Sequence, residues 1–273
     1  MLYDTPDAWL SAPQRSVALI GMSGVGKTRL SSILREEGEW FHYSVDYRIG
    51  TRYLGERITD EFKREAMKSP KLRELLRSDS LSIRSKLSFH NLTPLSTWLG
   101  KPGDPERGGM EFDEYVRRQR LHREAEIASM LDARGFGERA RELYGYPHFV
   151  CDTSGSICEV VDPDSPRDPV MSALSRAMLP VYIRGGDEHV ASLIARFDRA
   201  PKPMYYRDDQ LAEFWAAYLE EIGCAPDRVD PDAFIRWGFA RLIEGRRPRY
   251  QAIADRWGLT VEADEVAAVQ TEA

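Results

Sequence analysis

Cysteine is scarce in this 273-residue chain, with only Cys151, Cys158 and Cys224. An odd number without metal-ligand spacing excludes a disulfide framework and a zinc knuckle, and points to a reducing cytoplasm. Long apolar runs are missing too. The longest stretches are a handful of residues, such as Val17–Ile20, far short of the roughly 20 needed to span a bilayer. Met1–Leu10 carries two aspartates and no positive flank before an apolar run, which is not the pattern of a secretory signal. Positive charge is in deficit, with 38 Lys and Arg against 44 Asp and Glu, a net charge of −6. A protein that coats nucleic acid has the opposite balance, so only a local basic cleft stays open. The rest is ordinary, with 42% apolar and 30% charged residues. The length suits one large domain or two small ones with a substantial core.

Residues 15–21 form a short β-rich apolar run ending in Gly21, the pattern of a buried parallel strand. Leu30, Ile33 and Leu34 then recur at helical spacing, and Gly38 supplies a stop. Trp40–Val45 is a second strand candidate. Between Gly50 and Tyr146 the character changes. Glu61–Arg77 and Phe112–Leu131 read as charged helices around a Pro/Gly-rich loop at 100–109, so residues 51–146 are expected to be a helical insertion. Strands return at Phe149–Cys151 and Leu179–Ile183, the latter followed by a helix through Val190, Leu193, Ile194 and Phe197. Amphipathic helices are expected near Asp208–Ile222, Pro231–Glu244 and Pro248–Trp257, and residues 263–273 as a flexible acidic tail. Strands alternating with helices predict an α/β chain, a parallel sheet in a three-layer core of residues 1–50 and 147–262.

The chemistry is carried by Gly21-Met-Ser-Gly-Val-Gly-Lys-Thr28, which fits Gly-x-x-x-x-Gly-Lys-Ser/Thr with an extra glycine at Gly24. Glycines let successive backbone N–H groups turn inward into an anion-binding nest, and the following helix adds its positive end. Gly21, Met22, Ser23, Gly24, Val25, Gly26, Lys27, Thr28 and Arg29 are therefore expected to hold a nucleotide. Lys27 would reach the β- and γ-phosphates and the Thr28 hydroxyl would join a magnesium shell. Together these make a nucleoside triphosphate and Mg2+ the expected ligands. The apolar strand before the loop and the amphipathic helix after it are the context this motif requires.

Asp46 lies just past the second strand candidate, where strand ends converge on a ligand crevice. It would orient an acceptor hydroxyl or take its proton; a loop aspartate capping the next turn would read the same. Phe149-Val-Cys-Asp-Thr-Ser-Gly-Ser156 ends a strand in Asp152, the place of a magnesium-linked carboxylate. Its turn, with Ser154 and Gly155, could approach a second ligand or be an ordinary Asx-type turn. Arg196, Arg199, Lys202 and Arg207 flank a Pro/Tyr segment, and Arg246, Arg247 and Arg249 bracket Pro248. Phosphoryl transfer needs cations near the transferring group, so two or three of these seven are expected at a ligand.

With these residues the chain resembles P-loop kinases of the shikimate kinase type, within the wider nucleoside monophosphate kinase-like group. Gly21–Thr28 matches that family's Gly-x-x-Gly-x-Gly-Lys-Ser/Thr loop. Ser44-Val-Asp-Tyr-Arg-Ile49 matches its Asp-x-Asp-x-x-Ile element at Asp46 and Ile49, but Ser44 replaces an aspartate that helps hold the magnesium water shell. The resemblance leaves Asp152 to compensate. Thr153–Ser156 stands where the family has a substrate-binding triple-glycine turn, and keeps one glycine. Arg199-Ala-Pro-Lys-Pro203 resembles the start of the family's lid, which implies a catalytic role for Arg199. Arg246-Arg-Pro-Arg-Tyr-Gln-Ala-Ile-Ala-Asp255 resembles a late segment whose arginine contacts substrate, which implies that role for Arg246 and leaves Arg249 solvated. The resemblance covers roughly residues 15–50 and 147–262. The middle hundred residues replace the family's substrate-binding helices, so a different acceptor is implied. Ser78–His90 within it could line a polar pocket or be a plain helix with a solvated face.

Two functions follow as expectations. One is an ATP-dependent kinase acting on a hydroxyl of a small molecule or nucleotide-like metabolite, with Lys27, Asp46, Asp152 and Arg199 in catalysis and Asp46, Ser154, Gly155 and Arg246 on the acceptor. The other is a regulatory ATPase whose insertion signals nucleotide state to a protein partner.

Overall fold

A computed structural model of the chain describes Tyr3 and residues 5–271. Met1, Leu2 and Asp4 of the Met1–Leu10 reading, and residues 272 and 273 of the tail, lie outside the described residues.

In chain order the elements are α1 (Pro6–Leu10), β1 (Ser16–Ile20), α2 (Lys27–Glu36), β2 (Trp40–Ser44), α3 (Val45–Arg48), α4 (Gly55–Met67), α5 (Pro70–Arg77), α6 (Thr93–Leu99), α7 (Phe112–Tyr144), β3 (His148–Asp152), α8 (Ile157–Val160), α9 (Pro169–Ala177), β4 (Leu179–Arg184), α10 (Asp187–Arg199), α11 (Asp208–Ile222), α12 (Pro231–Trp257), β5 (Leu259–Glu262) and α13 (Ala263–Ala268). The five strands form one all-parallel sheet in the order β2-β3-β1-β4-β5. β1 and β3 are buried along their whole length, as strands covered on both faces must be. Val17, Leu19 and Val150 point to one face, under Leu30 and Leu34 of α2 and Trp9 of α1. Ala18, Ile20, Phe149 and Cys151 point to the other, into a larger core with α7, α9 and α12. This is the α/β P-loop NTPase architecture expected, with its phosphate loop between β1 and α2. All three cysteines are free. No helix among the described residues is long and apolar enough to cross a membrane.

Four boundaries differ from expectation, each for a local reason. The Glu61–Arg77 helix is two helices, because Ser69 before Pro70 is forced into the extended region (φ −81°, ψ 121°). The helix expected to stop at Leu131 runs to Tyr144 and ends at Gly145 in the left-handed region (φ +72°). Pro248 does not open a helix; it sits inside α12. An interior proline costs about 3 kcal/mol, and buried Ile243, Arg246, Tyr250 and Ile253 on either side hold the helix together across it. The tail is not free either: α13 buries Ala263 and Val266.

The insertion is welded into the core. Ala125, Met130, Ala133 and Ala140 of α7 are buried in the main core, and Tyr43 Oη of β2 donates to Ser129 O at 2.7 Å. Gly137 of α7 faces the Phe149 ring. The second half of α7 is therefore a layer of the sheet domain, and the expected boundary at residue 146 falls beyond it, after the end of α7 at Tyr144. Arg118 ties the outer helices together, bonding Glu61 of α4 at 2.9 Å, Glu114 of α7 at 2.7 Å and the Trp98 carbonyl of α6. Ser78–His90 is an irregular connection, not a helix.

Candidate functional site

The carboxyl ends of β1, β2 and β3 lie side by side, with Leu19, Ser44 and Asp152 in register. The loops beyond them therefore meet at one edge, where ligands bind in open parallel sheets. The loop after β1 holds Gly24 at φ +89° and Gly26 at φ +101°, a conformation L side chains rarely adopt. Met22 and Val25 anchor it in the core, while Ser23 and Gly24 are exposed. Lys27, only 7% exposed, donates to Gly21 O at 2.7 Å and Met22 O at 3.1 Å. Burial lowers its pKa, while Asp152 and Asp46 push the other way.

Thr28 Oγ1 donates to Asp152 Oδ2 at 2.7 Å. The hydroxyl and carboxylate expected in one metal shell are thus in contact across two elements. Two hard oxygen ligands fit magnesium, which keeps waters and substrate phosphates in its other positions. Among the described residues no group of three or more His, Cys, Asp or Glu could cage a metal without such help. His42 of β2 stands behind, its Nε2 3.8 Å from Asp152 Oδ2.

Ser44 caps α3, accepting from the Tyr47 N–H at 3.3 Å. The missing aspartate of the resemblance is thus a helix cap, and the capping role considered for Asp46 belongs to its neighbour. Asp46 lines a cleft of about 590 Å3 that opens from the phosphate loop at Ser23 and Gly155. Burial, and then the Asp152 charge, push its carboxyl up to about 6, against the pull of Lys27.

The turn after β3 is clamped to the phosphate loop. Thr153 Oγ1 donates to Leu19 O at 2.7 Å, and a Cβ at Gly155 would collide with Ser23 Oγ. The one glycine kept in this turn is needed for that approach. Ser154 does not face an acceptor: its hydroxyl and that of Ser156 donate to Glu126 of α7, Ser156 at 2.9 Å and 3.0 Å. Glu126 is fully buried, and burial pushes its carboxyl up to about 7, the Ser154 bond opposing. One turn earlier, burial lowers His122 to about 4. Its ring stacks on Tyr205 at 5.4 Å.

The arginines sort differently from expectation. Arg246, 2% exposed, pairs with buried Glu159 of α8 at 2.9 Å and donates to Gly155 O at 3.0 Å and Tyr205 O at 2.7 Å. It borders the cleft, but chiefly as a brace holding the Gly155 turn. Arg207 takes the other Glu159 oxygen at 2.7 Å. Arg249 is not solvated; it donates to Cys158 O at 2.7 Å and Val161 O at 3.0 Å. Arg199 is exposed and bonds only its own helix, at Ala195 O, 3.3 Å. Its neighbour Arg196, one turn earlier, lines the cleft and lies against Gly24, where a Cβ would meet its Nη2. Arg29 points away from the loop, to Val266 O at 3.2 Å and Val269 O at 2.8 Å, and holds α13. His122 and Glu126 were missed because nothing in the charged Phe112–Leu131 pattern says which face of that helix meets the sheet. Their i, i+4 spacing was the one available signal.

No protein-family model matches the chain, and no curated protein matches it in sequence. Among solved structures it is similar to shikimate kinase from Bacteroides thetaiotaomicron, with 15% identity and a TM-score of 0.28, over 84% of this chain and 98% of that one.

Proposed function

We propose that the protein is a kinase that transfers the γ-phosphoryl group of ATP to a hydroxyl of a small acceptor bound in the cleft. The observation that carries this reading is Asp46: a carboxyl held up at about 6, on the wall of a cleft that begins at the phosphate loop. That pKa suits a general base working near neutrality. As the acceptor oxygen bonds to the γ-phosphorus and the bond to the β,γ-bridging oxygen breaks, Asp46 takes the hydroxyl proton and ADP leaves. The loop amides of residues 21–28, Lys27 and Arg196 hold the phosphates, and Thr28 and Asp152 hold magnesium, which when bound neutralises the charge between phosphates. Ser154 and Arg246 serve as supports of the Gly155 turn, not as acceptor contacts. The regulatory ATPase loses support because Arg118 and the buried half of α7 leave little freedom for an insertion that signals by moving.

The test is ADP release with and without alcohols, with the phosphoester followed by phosphorus NMR. Release that rises with an alcohol and yields a phosphoester supports the kinase. Slow release indifferent to every alcohol sinks it.

A further inference from the structure

The acceptor's chemistry can be read from the cleft wall. Leu92, Leu95 and Leu99 of the insertion face Phe197 of α10 and Phe239 and Ile243 of α12 across it, with Phe197 and Phe239 stacked at 3.6 Å. An apolar wall of this kind gains by burying apolar surface and is costly ground for an unpaired charge.

The polar groups along it are mostly uncharged, Asp46, Arg196, Lys202 and Arg246 being the charged ones. Arg246, the cation beside Gly155, is consumed by Glu159. His122 stays neutral at physiological pH because burial depresses it. Arg196 of α10 lies against the phosphate loop at Gly24, and Lys202 is exposed. Asp46 and, behind the wall, Glu126 would repel an anion. Two hydrogen-bonding atoms are poorly satisfied: among the described residues the Tyr205 hydroxyl has no hydrogen-bond partner, and His122 Nδ1 has only Glu126 Oε2, 3.5 Å away. Both side chains border the cleft and are more than nine-tenths buried. A buried polar atom left unpaired costs about 1–3 kcal/mol, so a ligand group that meets them is favoured.

We infer that the acceptor is an uncharged amphipathic alcohol: a hydroxyl at Asp46, an apolar ring or chain between the leucines and phenylalanines, and a neutral hydrogen-bonding substituent at Tyr205 and His122. This rests on the kinase reading and narrows it. The volume, about 590 Å3, falls within the range of small-molecule sites and exceeds the need of a bare sugar-sized polyol.

The experiment compares three acceptor classes on the full-length protein with ATP and magnesium. 1,4-Cyclohexanedimethanol and naphthalenedimethanol represent the class inferred, hydroxymethylcyclohexanecarboxylate its anionic counterpart, and glycerol and myo-inositol the wholly polar one. Phosphoester formation is expected with kcat/KM at least about tenfold higher for the neutral amphipathic pair. A polyol or carboxylate used as well or better overturns the inference and leaves the kinase standing. ADP release indifferent to all of them removes the kinase and the inference together. Calorimetry of naphthalenedimethanol on the ADP-loaded protein gives an independent reading: apolar burial predicts a negative heat-capacity change, and a value near zero contradicts it.

Discussion

The phosphate side and the acceptor side share a wall at Ser23 and Gly155 but are made of different material. The phosphate side is backbone: eight consecutive residues, Gly21–Thr28, whose conformation is set by glycines and the helix that follows. The acceptor side is side chains, drawn chiefly from α3, α6, α7, α10, α12 and the turn after β3, with Tyr205 added from the connection after α10. A site made of backbone is fixed locally and recurs wherever the same chemistry is needed. One made of side chains from six elements depends on how those elements pack, and changes whenever one is replaced. Here α6 and α7 of the insertion supply part of that wall, which under the proposed kinase function would let one fold keep its donor while its acceptor changes.

Breaking the brace between the two sides should have the largest effect. Arg246→Ala leaves buried Glu159 with Arg207 at 2.7 Å and the more distant Arg249 at 4.0 Å, and should cost about 3–5 kcal/mol of stability in denaturant unfolding. Arg246→Lys should recover little, since a lysine cannot span Glu159, Gly155 O and Tyr205 O together. A stable Arg246→Ala protein with only a raised acceptor KM would restore the substrate-contact role. Lys27→Ala should lower transfer and hydrolysis alike by on the order of 10²-fold, with unfolding unchanged; normal turnover would make the loop a structural turn.

Glu126→Gln tests the acceptor side through stability. The Glu126 pKa is raised from 4.5 to about 7, so the folded state binds the extra proton. The stability that proton confers is full below about pH 4.5 and lost as pH rises through about 7. The glutamine variant should therefore match the parent at about pH 5 and exceed it by about 2–3 kcal/mol at about pH 8. The same pH slope in both proteins would mean that Glu126 is ionised throughout. The smallest contrast is between neighbours on α10: Arg196→Ala should slow transfer about tenfold, and Arg199→Ala should stay within about twofold. Reversed effects would put Arg199 back over the phosphates.

The same division decides what was legible in the sequence. Glycine spacing and the flanking apolar runs specified the phosphate loop and the parallel sheet, because strand, turn and helix are encoded within about twenty consecutive residues. Asp152 ends β3 and Asp46 follows the end of β2 within α3, so strand ends sharing an edge were enough to bring the two together from the sequence alone. Ser154, Arg199, Arg29 and Arg246 make contacts that the sequence did not foretell, because each was valued for its charge or hydroxyl alone. Their partners, Glu126, Ala195, the Val266 and Val269 carbonyls and Glu159, lie on other elements or on the backbone. His122 and Glu126 stand on a helix whose buried face is set only by tertiary packing.

The central claim is that Asp46 is the base joining the two sides, and a pH–rate profile of acceptor-dependent phosphoester formation tests it most directly. The carboxyl sits at about 6 and is active ionised, so transfer by the parent should fall as pH drops through about 6 and level off above it. Asp46→Asn should lower the plateau by about 10²–10⁴-fold and abolish that limb. An Asp46→Asn protein that keeps the limb near pH 6, or transfers within about twofold of the parent, would contradict the account.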